Sequence, residues 1–339
     1  PPDMALKLMF YVIIALSILW CISWLLKRFL SWLFRSIHEA LDRLWDTITH
    51  RSWLHPLHVA LQDPQSPQRH IQLTLSLYLL LLVSFLLLVI FAVNEQLFFP
   101  GWNYSFLHLM RSLHAALAMD LMMLFTIAGA PLVWCGVGIL MAVYFAYRRH
   151  WRSLIHWLLL FVLGVLCVEG LKHLMAVARP PGLLVSLKGY SFPSGHTTLT
   201  TFTTGFFAVL IARQLKKKWS WLPYALAVVI TALVASSRLY LGAHWFSDVL
   251  AGLLLGSSLT LLFTISYHRQ PTPALKLVPL VTVFLLSWLT LSGLYGYQHY
   301  RQFLQDYTLY SPTQTLSMQD WWAQNGEQQP LYRLARTGK

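Results

Sequence analysis

Charge is scarce in this sequence. Of 339 residues only 11% are Asp, Glu, Lys or Arg, and the acidic ones number 12. Soluble domains carry about 25% charged residues, so an ordinary cytosolic enzyme is excluded. Cysteine is scarcer still. Cys21, Cys135 and Cys167 all lie inside apolar runs, at spacings that suit neither a disulfide framework nor a zinc site. No internal repeat is visible and no nucleic-acid-binding module is present, so the net charge of +13 marks membrane topology and membrane-surface contact, with no nucleic acid as partner. What remains abundant is apolar: 57% hydrophobic residues and a mean hydropathy of +0.55. The composition describes an all-α integral membrane bundle.

A helix needs roughly 20 apolar residues to cross the hydrocarbon. Eight segments qualify: 8–26, 71–93, 121–147 with Pro131 as a kink site, 153–171, 197–213, 221–237, 248–267 and 277–297. The first lacks a cleavage-site pattern, which argues against a removable signal peptide. Residues 27–70 mix Trp32, Leu33, Leu41 and Leu44 with Lys27, Arg28, Arg35 and Arg43. They read as an amphipathic segment at the interface, closed by the turn-rich Asp63-Pro64-Gln65-Ser66-Pro67. Residues 96–119 hold aromatics and Pro100-Gly101, and are expected to form a short helix capping the bundle at the other end. The tail 298–339 is polar and Gln-rich.

Basic residues cluster in 27–69, at Arg148-Arg149-His150-Trp151-Arg152, at Lys216-Lys217-Lys218, and from Arg269 to Lys276. With these spans all four clusters share one side, which the positive-inside rule makes cytoplasmic. Loops 172–196, 238–247 and the tail then face outward.

Those two outward loops carry the chemistry. Lys172 and Arg179-Pro180 are seven residues apart, which places both cations on one helical face if the helix continues that far. Taken alone they are better explained as cations snorkelling at a helix end. Ser191-Phe192-Pro193-Ser194-Gly195-His196 precedes a Thr-rich span. A helix N-terminus beside Ser194 suits an anion, and His196 there could donate a proton. A serine N-cap with an incidental histidine explains the tetrapeptide equally well. Ser237-Arg238, His244 and Asp248 form the third group. At i,i+4 on one helical face the carboxylate could hold one imidazole nitrogen and leave the other free to attack, while Arg238 offers a bidentate phosphate contact. A structural His–Asp pair at a helix start is the bland alternative. Three cations, two histidines and one aspartate on one membrane face make a set suited to phosphoryl transfer.

The patterns Lys-x6-Arg-Pro, Pro-Ser-Gly-His and Ser-Arg-x5-His-x3-Asp, complete and in order, resemble the type-2 phosphatidic acid phosphatase superfamily, whose soluble relatives include bacterial acid phosphatases and vanadium haloperoxidases. The resemblance implies a six-helix phosphatase core over about residues 71–267. To it would be added an N-terminal transmembrane helix and interfacial segment (1–70), an extra C-terminal transmembrane helix (268–297) and a polar extracytoplasmic tail (298–339). It further implies that Lys172, Arg179 and Arg238 bind phosphate with help from Ser194 and the Gly195 N–H. His244 would be the nucleophile, Asp248 its orienting partner and His196 the general acid, with no metal or other cofactor.

An outward site among lipid-accessible helices favours a membrane lipid phosphate. Undecaprenyl diphosphate leads, ahead of phosphatidic acid, phosphatidylglycerol phosphate and lipid A phosphates, in a bacterial inner membrane with a periplasmic active site. A lipid A phosphatase or a phosphotransferase would use the same residues. A transporter or scaffold is the alternative of another class, although no Gly/Pro-interrupted inverted repeat supports it. Among the remaining polar residues, Glu169 is expected to pair with Lys172, His156 to be satisfied within the bundle, and Tyr240 and Trp245 to anchor at the interface. Asn103-Tyr104-Ser105 matches a glycosylation sequon.

Overall fold

The computed structural model describes residues 28, 31–32, 35–37, 39–61, 71–113, 116–183, 187–270 and 272–308. The expected span 8–26, the turn 63–67 and the tail beyond residue 308 lie outside them. The chain divides into two units, Pro1–Thr74 and Leu75–Lys339. In the first, residues 39–50 are helical, followed by a 3-10 turn (Ser52–Leu54) and a short helix (His55–Leu61). Trp45, Ile48 and Leu73 form its small core with Leu54 and Leu61. Trp32 and Trp53 are exposed.

From residue 71 onward the chain is a helical bundle. Its helices are α1 (Ile71–Asn94), α2 (Phe99–Ser112), α3 (Ala116–Ala128), α4 (Pro131–Tyr147), α5 (Trp151–Met175), α6 (Gly195–Ala212), α7 (Leu222–Tyr240), α8 (Phe246–His268) and α9 (Leu277–Asp306). Six stretches among the described residues are long and apolar enough to cross a membrane, with 118–147 counted as one. Their outer faces carry Leu80, Leu87, Leu158, Val162, Val228 and Leu286, all exposed. Water would not tolerate so continuous an apolar surface, whereas lipid does. This is an integral membrane protein.

The seventh expected span within the described residues, α6, falls outside that set. It is threonine-rich and mostly buried, packed between α7 and α8 with α4 and α5 close by. Enclosed by its neighbours, it needs little lipid-compatible surface. Close packing replaces hydrophobicity as its source of cohesion. Gly252 and Gly256 of α8 face Ser194, Thr197, Thr198 and Thr201, and a Cβ at Gly256 would lie 2.9 Å from the Thr198 carbonyl oxygen.

Pro131 does more than kink its span. It starts α4 after a break at Gly129-Ala130, because proline supplies no N–H to the preceding turn. Helix α9 packs against α3 and α4 across the break, its Trp288 indole donating to the Ala128 carbonyl at 2.8 Å and stacking on Trp134. α9 also continues to Asp306, past residue 297 where the hydropathy places its end, and Tyr307 beyond it is buried.

Helices α5, α6, α7, α8 and α9 alternate in direction. The basic loops therefore gather at one end, where Arg152 caps the α8 carbonyls of Ser266 and Tyr267 and Arg213 bonds to Thr272. His156 is satisfied there by the Arg152 carbonyl and Ser266, as expected. The loops with the three motifs gather at the other end. Helix α2, the expected cap, packs on α7 and α8.

Candidate active site

Lys172 lies in the last turn of α5. Its Nζ pairs with Glu169 Oε1 at 2.7 Å, the ion pair expected at that boundary, and approaches Gly195: a Cβ there would sit 3.8 Å from it. The absence of a side chain at Gly195 thus leaves the amine beside the α6 N-terminus.

Arg179 reaches the site by a different route from the one the seven-residue spacing suggests. Helix α5 ends at Met175, and Ala176 adopts the left-handed conformation (φ +46), so Arg179 sits on a loop and shares no helical face with Lys172. Its Nε donates to the carbonyls of Lys188 and Gly189, and its Nη1 to the Ala243 carbonyl at 2.9 Å and towards His244 Nε2 at 3.3 Å. One guanidinium thereby ties the first motif to the third.

Ser194 is the N-cap of α6. Its Oγ accepts from the Thr197 hydroxyl at 3.0 Å and from the Thr197 N–H at 3.5 Å. The capping explanation of this serine holds, and its buried oxygen borders the same helix N-terminus. The Ser194 N–H donates to the Asp248 carbonyl at 3.0 Å, which docks the second motif on the third. His196 occupies the first turn of α6.

The third motif is organised by helix capping and not by a shared helical face. Helix α8 begins at Phe246 with Trp245 as N-cap, so His244 precedes the helix. Asp248, in the first turn, accepts the Trp245 N–H at 2.8 Å and the His244 Nδ1–H at 3.3 Å through one oxygen. A carboxylate near a helix N-terminus serves the unpaired N–H groups there; this one also fixes the tautomer, leaving the lone pair of Nε2 toward Arg179. Both side chains are buried. Burial, reinforced by Arg179, Arg238, His196 and Lys172 in that order, holds the His244 imidazole well below its usual value of 6.5. Those same four residues are the ones the sequence nominates as its neighbours, so the three motifs converge.

Arg238 is the third cation, 3% exposed near the end of α7. Its Nη1 donates to Thr126 Oγ1 and, at 2.9 Å, to the Tyr307 hydroxyl, while its buried Nε has no hydrogen-bond partner.

Sequence reasoning missed several supports. Tyr240 and Trp245 are not interfacial anchors: both are buried, with Tyr240 bonding to the Leu113 carbonyl and Trp245 Nε1 to the Ala178 carbonyl at 2.6 Å. Asn103 turns its amide to Ser247, making two 3.0 Å bonds to its N–H and Oγ, which occupies the group a glycan would need. Ser191 ties its loop through the Ala178 carbonyl. Thr126 alone carried a hint, as a hydroxyl within an apolar run.

The PAP2 superfamily model matches residues 153–272. Over 195 residues the chain is 32% identical to an undecaprenyl-diphosphatase of Sulfolobus acidocaldarius, spanning 55% of this chain and 88% of that protein. Over 115 residues it is 36% identical to phosphatidylglycerophosphatase B of Bacillus subtilis, spanning 33% of this chain and 56% of that relative. A crystal structure of a transmembrane PAP2 type phosphatidylglycerolphosphate phosphatase from Bacillus subtilis is 29% identical, covers 55% of this chain and 93% of its own, and aligns with a TM-score of 0.49.

Proposed function

This chain belongs to the PAP2 superfamily, and on that footing we propose that it is a membrane phosphatase that hydrolyses a lipid phosphate or diphosphate, foremost undecaprenyl diphosphate, through a phosphohistidine on His244. The observation that carries this reading is the state of His244: its Nδ1 is held by Asp248, its Nε2 lone pair faces Arg179, and burial among cations keeps it neutral.

Lys172, Arg179 and Arg238 bind the phosphate oxygens, assisted by Ser194 and the Gly195 N–H at the α6 N-terminus. Arg179 swings from His244 to the phosphate and frees Nε2. That nitrogen attacks phosphorus, the bond to the leaving oxygen breaks, and His196, which takes a proton from solvent when the phosphate anion arrives among the surrounding cations, gives that proton to the leaving oxygen. Asp248 stabilises the charge His244 acquires. Water, deprotonated by His196, then attacks the phosphohistidine, releasing inorganic phosphate and restoring neutral His244.

A groove of about 370 Å³ between α4 and α5, lined by Gly138, Ile139, Trp157, Phe161, Val162 and Leu166, supports an amphiphilic substrate. Leu166 lies six residues before Lys172, about 9 Å along the helix, so the groove opens on the half of α5 nearer the phosphate site. The positive-inside rule puts the site on the extracytoplasmic face, in bacteria the periplasmic side of the inner membrane. Segments 1–70 and 268–339 are additions to the phosphatase core.

Purified protein should release phosphate from undecaprenyl diphosphate in detergent micelles, undiminished by EDTA. Release from soluble sugar phosphates alone, or loss of activity on chelation, would contradict the proposal. The pH profile gives a second check. A lowered histidine value means that the free enzyme gains the inhibiting proton only below pH 6.5. The acid limb of kcat/KM, corrected for ionisation of the substrate, should therefore fall below that value. A limb above it would mean that another group controls attack.

A further inference from the structure

We propose that Tyr307, carried by the additional C-terminal helix α9, is a positioning residue that aims Arg238 at the substrate phosphate; this rests on the phosphatase reading above. An arginine buried in a membrane bundle is costly and must have its donors accounted for. Two hydroxyls take Nη1, those of Thr126 on α3 and Tyr307 at the end of α9. The guanidinium also lies over the Tyr307 ring, 5.6 Å from its centroid, a cation–π distance. Nε, on the opposite edge, is buried and has no partner.

That asymmetry has a geometric consequence. Arginine binds phosphate bidentately either end-on, through both Nη atoms, or side-on, through Nε and Nη2. With Nη1 held on two hydroxyls, only the side-on edge is left to take a phosphate oxygen pair. Tyr307 is well placed to enforce this because it is itself fixed, buried in a cluster with Met123, Tyr240, Leu241 and Ala243 and ringed by Phe303 one turn earlier. Both hydroxyls come from outside residues 153–272, the part that matches the superfamily model. Helix α9 is therefore more than an extra membrane anchor. It completes the phosphate site.

The test compares the full-length wild type with Tyr307→Phe, which keeps the ring and removes only the hydroxyl. Orthovanadate, a phosphate analogue, is titrated calorimetrically into the purified protein, and kcat and KM are measured with undecaprenyl diphosphate. Loss of one hydrogen bond to a charged group should weaken vanadate binding and raise KM by about tenfold, with a much smaller change in kcat. In an Arg238→Ala background the same replacement should change vanadate affinity by less than about twofold, since the coupling runs through that arginine. Thr126→Val, which takes the other hydroxyl from the same nitrogen, should act in the same direction and serves if Tyr307→Phe proves unstable. Wild-type vanadate affinity in Tyr307→Phe, or an equal loss with and without Arg238, overturns the proposal. Wild-type protein that binds vanadate yet releases no phosphate overturns the phosphatase reading instead, and the vanadate titrations still decide the role of Tyr307.

Discussion

His244→Ala should lower phosphate release by roughly 10³-fold or more, the scale seen when a nucleophile that works as part of a unit is removed. The buried Asp248 carboxylate would lose its imidazole partner but keep the Trp245 N–H, so the start of α8 should remain capped. Thermal unfolding in detergent should accordingly shift little beside the loss of turnover. A decisive accompaniment is acid-quenched protein incubated with substrate labelled at the transferred phosphorus. Wild type should retain acid-labile, base-stable label and His244→Ala none. Substantial turnover in the variant would remove His244 from the role of nucleophile, and a transporter would show no such dependence.

The largest structural effect is expected at a residue with no side chain. Gly256→Val would drive a Cβ to 2.6 Å from that of Thr201 and 2.9 Å from the Thr198 carbonyl oxygen. A backbone oxygen cannot rotate aside as a side chain can, so α6 and α8 must separate. Overpacking of this kind costs about 1–3 kcal/mol, and a β-branched residue against main chain belongs at the upper end. The cost would not stay local. Helix α6 carries His196 and α8 carries Asp248, and the Ser194 N–H to Asp248 carbonyl bond joins them. Gly256→Val should therefore lower the unfolding temperature in detergent and the turnover together. Gly293→Val in α9, where a Cβ meets nothing within 4 Å, is the control and should leave the unfolding temperature near that of the wild type. Equal stability of the two variants would contradict the close α6–α8 contact.

Much of this was legible in the polymer. Hydropathy and the distribution of basic residues determined the membrane bundle, its alternating helices and the gathering of three motifs at one end, because lipid imposes a similar length and polarity on every span that faces it. Lys172, Arg179, His196, Arg238, His244 and Asp248 stood out as candidates because such groups near a helix end are costly without a task. Periodicity failed where the chain leaves helical geometry. The Lys172–Arg179 spacing suggested one helical face, yet Ala176 turns the chain first; the His244–Asp248 spacing suggested another, yet the pair forms across a helix start. Tyr240 and Trp245 were misjudged because burial depends on what α2 and the Pro180 loop lay over them, and Asn103 because its partner, Ser247, lies 144 residues away.

The sequence by itself determined that this is a helical membrane protein and which ionisable side chains stand at the ends of its spans, since transfer free energies and residue chemistry are local properties. Only the tertiary structure decided which nitrogen of His244 faces Asp248 and which faces Arg179, which edge of Arg238 is open, and that Tyr307 at the end of α9 stands behind it. Those are properties of contacts between segments distant along the chain, and no local pattern encodes them.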